Sequence, residues 1–424
     1  MLKTQLEVCI GKECLPVGQL TYVKDGAREY SAFAYGQDWL QSPLRFTISP
    51  DLPLAPGHQI RKPTDKEDSR FFLALGDTEP DAWGRRVIAR AHAKERRNNP
   101  ALKALTELDY LCAVDDFSRV GALRLRDNHG QLLRATIPGR RATPPLLELD
   151  HMVQASRAVE LNQESAEDLQ YLQGKGTSLG GMRPKCTILD DDGRLALGKF
   201  PSVQDERSVT RGEVLALRLA QLAGIHAAPA RIVMVKDTPV AVIKRFDRTP
   251  EDGRVPYLSA ASLLQASRRE EHSYTEVLDA MSSVCVEFKD DAQQLWRRLV
   301  FNHLITNVDD HLQNLGFLYA GHGLWRLSPA FDLNPFPDKD RESKTWLSED
   351  TGPITALEAL IDKAPYFHLS IPQARAVVSQ VHQAISRWRT VAQGPEVGLQ
   401  ATELDAFAPA FEHADMVKAG RLQG

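Results

Sequence analysis

The chain has 424 residues, 42% of them hydrophobic and 25% charged, with a formal net charge of -4. That composition suits a globular protein with room for two or three domains. The slightly acidic balance argues against nucleic-acid binding through bulk charge, while a local basic patch or a DNA-bound partner stays compatible with it.

The N-terminus, MLKTQLEVCIGKECL, lacks the basic and long apolar regions of a signal peptide. No window along the chain approaches the roughly 18 consecutive apolar residues of a membrane-spanning helix, so no membrane association is expected. The five cysteines (Cys9, Cys14, Cys112, Cys186 and Cys285) are odd in number and scattered, which points to thiols in a reducing cytoplasm. Cys9 and Cys14 flank IGKE, without the partner ligands that a zinc site needs.

Residues 1–110 read as a small β-rich subdomain. Leu6–Ile10, Gly18–Tyr22 and Tyr30–Tyr35 are strand-like, a Pro-, Gly- and charge-rich loop runs from Ser49 to Ser69, and Asp81–Arg96 reads as a basic helix. That helix presents either a solvated face or a contact surface for a partner or nucleic acid. Residues 111–255 read as a second, mixed domain. A connector spans 130–150, an acidic helix or helix pair covers Leu147–Leu172, and strands and one helix follow from Gly174 to Arg248. Residues 256–424 read as all-helical. A β-rich lobe followed by a helical lobe is the order of an α+β, protein-kinase-like bilobal fold.

Gly174–Gly181 is GKGTSLGG, and four glycines in eight residues allow backbone N–H groups to approach a polyphosphate. It is not a P-loop, because no GK[ST] precedes a helix. Flexible Gly-rich loops are also common, but this one leads directly into the strand Lys185–Leu189, as a nucleotide-covering flap should. The return strand Leu195–Phe200 puts Lys199 on one face with Leu195 and Leu197. Lys199 either contacts nucleotide phosphates or snorkels to water from a strand end.

Glu213, near the start of a helix at Gly212–Leu222, either pairs with Lys199 or completes a Thr210-x-x-Glu213 capping box. A second hairpin, Ala230–Val235 with Val240–Phe246, ends in KRFDR. The backbone around Arg245 and Phe246 is a candidate to hold adenine, whereas Arg245, Asp247 and Arg248 could instead form a surface ion-pair network of small energetic weight.

A broad apolar stripe marks Gln294–Thr306 as a buried helix. It delivers NVDDHLQN, in which Asp309 and Asn314 have the catalytic-loop spacing of protein kinases: Asp, four residues, Asn. Asp309 would accept the acceptor hydroxyl proton. Asn314 and Asp332, the latter just past the strand Leu324–Leu327, would hold Mg²⁺ through oxygen donors. His311 reads as a positioning residue near the nucleotide that holds loop backbone by hydrogen bonds, with a role as second base as its alternative.

With these residues the chain resembles the HipA family of serine/threonine kinases, the toxins of type II toxin–antitoxin modules. The resemblance runs over DAWGR (Asp81–Arg85), SLGGMRPK (Ser178–Lys185), RFDR (Arg245–Arg248), NVDDHLQN (Asn307–Asn314) and LSPAFDLNP (Leu327–Pro335). It implies ATP and Mg²⁺ as cofactors, Lys199, Gly180 and Gly181 at the phosphates, and Ser178 as the autophosphorylated residue, with Thr177 its neighbouring competitor. A phosphate there would add roughly 1.5 to 2 negative charges and eject the loop. It further implies a HipB-like helix-turn-helix antitoxin, operator DNA bound through that partner, and a protein substrate of the aminoacyl-tRNA synthetase kind. The chain departs from the general kinase pattern in that no HRD precedes the loop and DLN stands where DFG would, and the Gly-rich loop carries MRP (Met182–Pro184) where better-known members of the family have a more polar run. The competing expectations are a small-molecule phosphotransferase using the same Asp–Asn–Asp set, and a catalytically silent scaffold and co-repressor.

Overall fold

The computed structural model describes residues 1–63, 65, 68–135, 148–173, 181–267 and 270–422. These residues form two compact units, 1–203 with 247–258, and 204–246 with 259–424.

The first unit opens with a five-stranded antiparallel sheet in the order β4-β3-β2-β1-β5, built from β1 (Leu2–Ile10), β2 (Leu15–Asp25), β3 (Arg28–Tyr35), β4 (Gln59–Arg61) and β5 (Leu123–Arg126). Register sets Leu6 opposite Leu20 and Leu20 opposite Phe33, so one face carries a buried apolar column as period-two alternation requires. The β1–β2 turn also brings Cys9 and Cys14 together in a disulfide, their Cα atoms 4.9 Å apart. This corrects the all-thiol expectation: the hairpin, not the sequence spacing, makes them neighbours.

The basic helix is present as Ala82–Asn98, with Asp81 at its N-cap. Part of its charge is committed within the unit, while Arg96 and Arg97 at its end are exposed, as a solvated face requires. Arg85 pairs with Glu79 (3.0 Å) and Glu107 (2.7 Å), Arg90 pairs with Glu164 (2.9 Å), and Arg86 donates to the Val159 carbonyl. The acidic stretch is a helix pair, Leu149–Leu161 and Ala166–Gln173; most of the connector before it lies outside the described residues. The hairpin of β6 (Lys185–Leu189) and β7 (Leu195–Lys199) follows.

Asp247 and Arg248 belong to this unit and are buried rather than superficial. Asp247 accepts from Gly121 N–H (2.8 Å) and pairs with Arg248 (2.8 Å), which also donates to the Phe117 and Arg119 carbonyls. The surface-network reading of these two residues is therefore corrected: they bind together loops of the unit's interior.

In the second unit the helix Val209–Leu222 packs on the hairpin of β8 (Ala230–Val235) and β9 (Thr238–Lys244). It begins three residues earlier than its glycine suggests. Gly212 is a packing notch, since a Cβ there would sit 2.8 Å from the Phe407 ring. Thr210 thus lies inside the helix and Ser208 is the N-cap without a side-chain cap bond, which removes the capping-box reading of Glu213; that residue is buried. After β10 (Tyr257–Ser259), helices dominate, but the region is not all-helical. It carries two short hairpins, β11 (Gly316–Gly321) with β12 (Leu324–Leu327), and β13 (Trp346–Ser348) with β14 (Gly352–Pro353).

Candidate active site

The helix Phe288–Leu304 is the support of the candidate catalytic loop. Trp296, Leu299, Val300, Phe301 and Leu304 on it are fully buried, and its polar residues are committed to structure. Asp291 accepts from Arg326 (2.9 Å) and from Leu327 N–H (3.2 Å), and Arg298 donates to the Ser328 carbonyl (2.6 Å). The helix thereby holds the end of β12. His303 meets Asp415 at 2.6 Å, and the His303 hydrogen bond is the chief reason that the Asp415 carboxyl is held far below the usual range.

The loop leaves this helix through Thr306, a β-branched residue at φ 54, a left-handed conformation that such side chains rarely adopt. Its hydroxyl donates to the Ala410 carbonyl (3.2 Å). In the loop Asn314 Nδ2 donates to the Asp309 carbonyl oxygen (2.9 Å). This fixes the carboxamide's orientation and leaves Oδ1 as the atom it could offer to a metal. The Asp309 carboxylate contacts the ammonium of Lys344, and His311 Nε2 lies 3.9 Å from it, too far for a hydrogen bond. The His311 ring holds no loop backbone; its carbonyl instead accepts from Asn314 N–H (2.8 Å). The hydrogen-bonding role expected of the ring is therefore corrected to one for its backbone.

Asp310, not singled out in the sequence, is the anchor of the loop. It is buried, and burial pushes its carboxyl up to about 6. Tyr274 Oη donates to Oδ2 (2.7 Å), Lys344 N–H donates to Oδ1 (2.7 Å), and Thr345 Oγ1 donates to its carbonyl (2.7 Å). The doublet Asp309–Asp310 is the only signal the sequence offers for it. For Lys344, inside the charged run DKDRESK, there is none.

Asp332 arrives by way of the β11–β12 hairpin. Phe317 pairs with Leu327 and Ser328 N–H donates to the Gly316 carbonyl, so the chain enters β11 from Asn314 and leaves β12 toward Asp332 at one end. Asn334 N–H donates to Asn307 Oδ1 (3.2 Å) and Phe336 N–H to the Thr306 carbonyl (3.1 Å). These bonds lay the segment after Asp332 against the root of the loop. Asp332 itself sits at φ 53. Phe331 beside it packs on Phe246, ring centroids 5.5 Å apart, which places the candidate adenine-side residue next to the candidate metal ligand.

The oxygen set of Asn314 and Asp332 fits Mg²⁺, which is usually held by one or two carboxylates together with phosphates. No group of three or more His, Cys, Asp or Glu gathers for another metal among the described residues. Beside the loop lies a cleft of about 400 Å³, lined among others by Ala261, Ser267, His311, Gln313 and Lys344.

In the first unit, Lys199 is buried at the end of β7 and directly opposite Lys185. Like charges so placed repel, and Lys185 is compensated by Asp81 at 2.9 Å. Asp81 also accepts from Gly84 N–H (2.7 Å). Gly181 sits at φ +94 with its carbonyl facing Trp83 N–H (3.5 Å), and a Cβ there would come within 3.1 Å of Lys185 Nζ. The DAWGR segment therefore pins the root of the Gly-rich loop, a role the sequence does not disclose. Thr177, Ser178 and Gly180 lie outside the described residues.

Comparison with known proteins bears on the family and the fold. The HipA-like C-terminal domain family matches residues 177–388, half of the chain. "Putative kinase Y4mE" of Sinorhizobium fredii is 25% identical over 337 residues, covering 75% of this chain and 74% of the relative. "Putative kinase Y4dM" of the same organism is 28% identical over 243 residues, covering 50% and 56%. Among solved structures, HipA of Shewanella oneidensis, determined with HipB and its operator DNA, superposes with a TM-score of 0.65 at 15% identity, over 98% of this chain and 96% of that one. The α+β kinase-like fold is thus that of HipA. With both the domain match and the fold in place, the chain belongs to the HipA family.

Proposed function

We propose that the protein is an ATP- and Mg²⁺-dependent serine/threonine protein kinase. It acts as the growth-arresting toxin of a toxin–antitoxin module in the cytoplasm. The observation that carries this reading is the loop in which Asn314 is bonded to the Asp309 backbone, with the Asp332 segment tied to the root of the same loop. Asp309 receives the proton of a Ser or Thr hydroxyl as its oxygen attacks the γ-phosphorus, and ADP leaves. Mg²⁺, when held by Asn314 and Asp332, supplies charge neutralisation on the phosphate oxygens. Positioning and electrostatics account for most of the acceleration in this chemistry.

Lys199, Gly180 and Gly181 bind the phosphates, Glu213 orients Lys199, and the backbone at Arg245 and Phe246 holds adenine, with His311 nearby. Ser178 is the autophosphorylation site and Thr177 the lesser one. The partner is a HipB-like helix-turn-helix antitoxin that brings operator DNA, and the substrate is a protein such as an aminoacyl-tRNA synthetase. The family and its HipB-bound relative support these assignments.

The test is incubation of the purified protein with labelled Mg²⁺-ATP, with Asp309→Ala as control. Label on Ser178 that disappears in the variant is expected. Label confined to a small-molecule acceptor would replace the protein-kinase reading, and undiminished labelling by Asp309→Ala would remove Asp309 from the chemistry.

A further inference from the structure

Lys344 belongs to none of the motifs that mark the site, yet its ammonium rests on the carboxylate of Asp309. Its two ends are treated differently. The backbone is anchored: its N–H donates to buried Asp310, Thr345 Oγ1 donates to the Asp310 carbonyl, and Trp346 N–H donates to the His272 carbonyl (2.9 Å). The side chain, by contrast, is 60% exposed. An ion pair so wet adds little to stability, so the segment is held by the three hydrogen bonds at its root and not by the contact with Asp309. A fixed root with a solvent-exposed charged head, on a long flexible stem, is what a mobile cation requires.

The reaction tells where that head goes. The acceptor hydroxyl must come within about 2.6–3.2 Å of Asp309 for its proton to be taken, and the γ-phosphorus is then bonding to that same oxygen. The equatorial phosphoryl oxygens therefore lie a few atoms from Asp309, within the sweep of an ammonium already touching it. Lys344 also lines the cleft beside the loop.

We propose that Lys344 is a catalytic cation: parked on Asp309 in the free enzyme, it moves to the equatorial oxygens of the phosphoryl group during transfer. The acceptor oxygen forms its bond to the γ-phosphorus and the bond to the β–γ bridging oxygen breaks. The hydroxyl proton passes to Asp309, and ADP departs with the electron pair. Lys344 forms and breaks no covalent bond; it neutralises charge on the oxygens in flight and, by leaving, frees the carboxylate for the hydroxyl. This inference rests on the kinase reading above.

The experiment compares the full-length wild type with Lys344→Ala, Lys344→Arg and Asp309→Ala. It measures kcat and KM for Mg²⁺-ATP, Mg²⁺-ATP affinity by equilibrium titration, and thermal unfolding. Lys344→Ala is expected to lower kcat by roughly 10²- to 10³-fold with ATP affinity and melting temperature nearly unchanged, and Lys344→Arg to recover part of the rate. Wild-type turnover by Lys344→Ala alongside an inactive Asp309→Ala overturns this inference and leaves the kinase reading standing. Full turnover by both variants overturns both. A Lys344→Ala defect in ATP affinity or unfolding equal to its defect in kcat, with no recovery by Lys344→Arg, makes Lys344 a structural prop and also overturns it.

Discussion

Asp81–Lys185 and Asp309–Lys344 are both aspartate–lysine pairs, yet their surroundings are opposite. The side chains of the first are 5% and 3% exposed, and those of the second 37% and 60%. In the first pair each charge has lost its water, and removing either partner strands the other. In the second pair water can replace either partner. The same two residue types therefore make a fixed joint at the root of the Gly-rich loop and an exchangeable contact at the candidate catalytic loop. Environment, not residue identity, decides which is which.

The largest expected effect falls on the buried pair. Asp81→Ala should destabilise the protein by roughly 3–5 kcal/mol, with loss of the helix cap included, as read by chemical denaturation; a cost under about 1 kcal/mol would erase the distinction between the pairs. Next comes Asp415→Asn, which removes a charged hydrogen bond to His303 in the second unit and should cost about 1.5–3 kcal/mol near neutral pH. Because the folded carboxyl of Asp415 is held below its unfolded value, its contribution is present above about pH 4 and is lost as pH falls further. The variant should accordingly lose less stability than the wild type on acidification.

Asp310 has the opposite sign. Its folded carboxyl is raised to about 6, so the folded state binds the extra proton between about pH 4 and 6, and stability from this group falls as pH rises through that window. Stability curves of Asp310→Asn and wild type should diverge across that window and run parallel elsewhere. The smallest effect belongs to the exposed pair: Lys344→Ala should change unfolding free energy by less than about 1 kcal/mol. A larger value would show that its buried root depends on the charged head after all.

Much of the fold was legible from periodicity. The first three of the five strands of the N-terminal sheet, the β6–β7 and β8–β9 hairpins and the strand Leu324–Leu327 all lie where alternation and turn residues indicate. The buried helix before the catalytic loop was legible too, although it starts at Phe288 rather than Gln294; its first turn is polar, and a stripe-based reading misses such turns. What stayed hidden depends on distant partners. Gly212 looks like a helix start until Phe407 is packed against it. Arg85 and Arg90 of Ala82–Asn98 look solvated until Glu107 and Glu164 come alongside. The proposed site residues Asp309, Asn314 and Asp332 are picked out by spacing, whereas Asp310 and Lys344 are not, because a residue that holds another in place carries no spacing rule of its own.

The left-handed backbone of Asp332 has a practical consequence for anyone needing an inert form of this protein. At φ 53 the position tolerates Asn and Gly more readily than Ala, and β-branched residues least. Asp332→Asn keeps the local chain path while removing the charge. Asp332→Ala would change the proposed ligand and the backbone together, so a loss of function in it could not be ascribed to either. As a bait for trapping substrates or partners, the asparagine variant is the cleaner reagent.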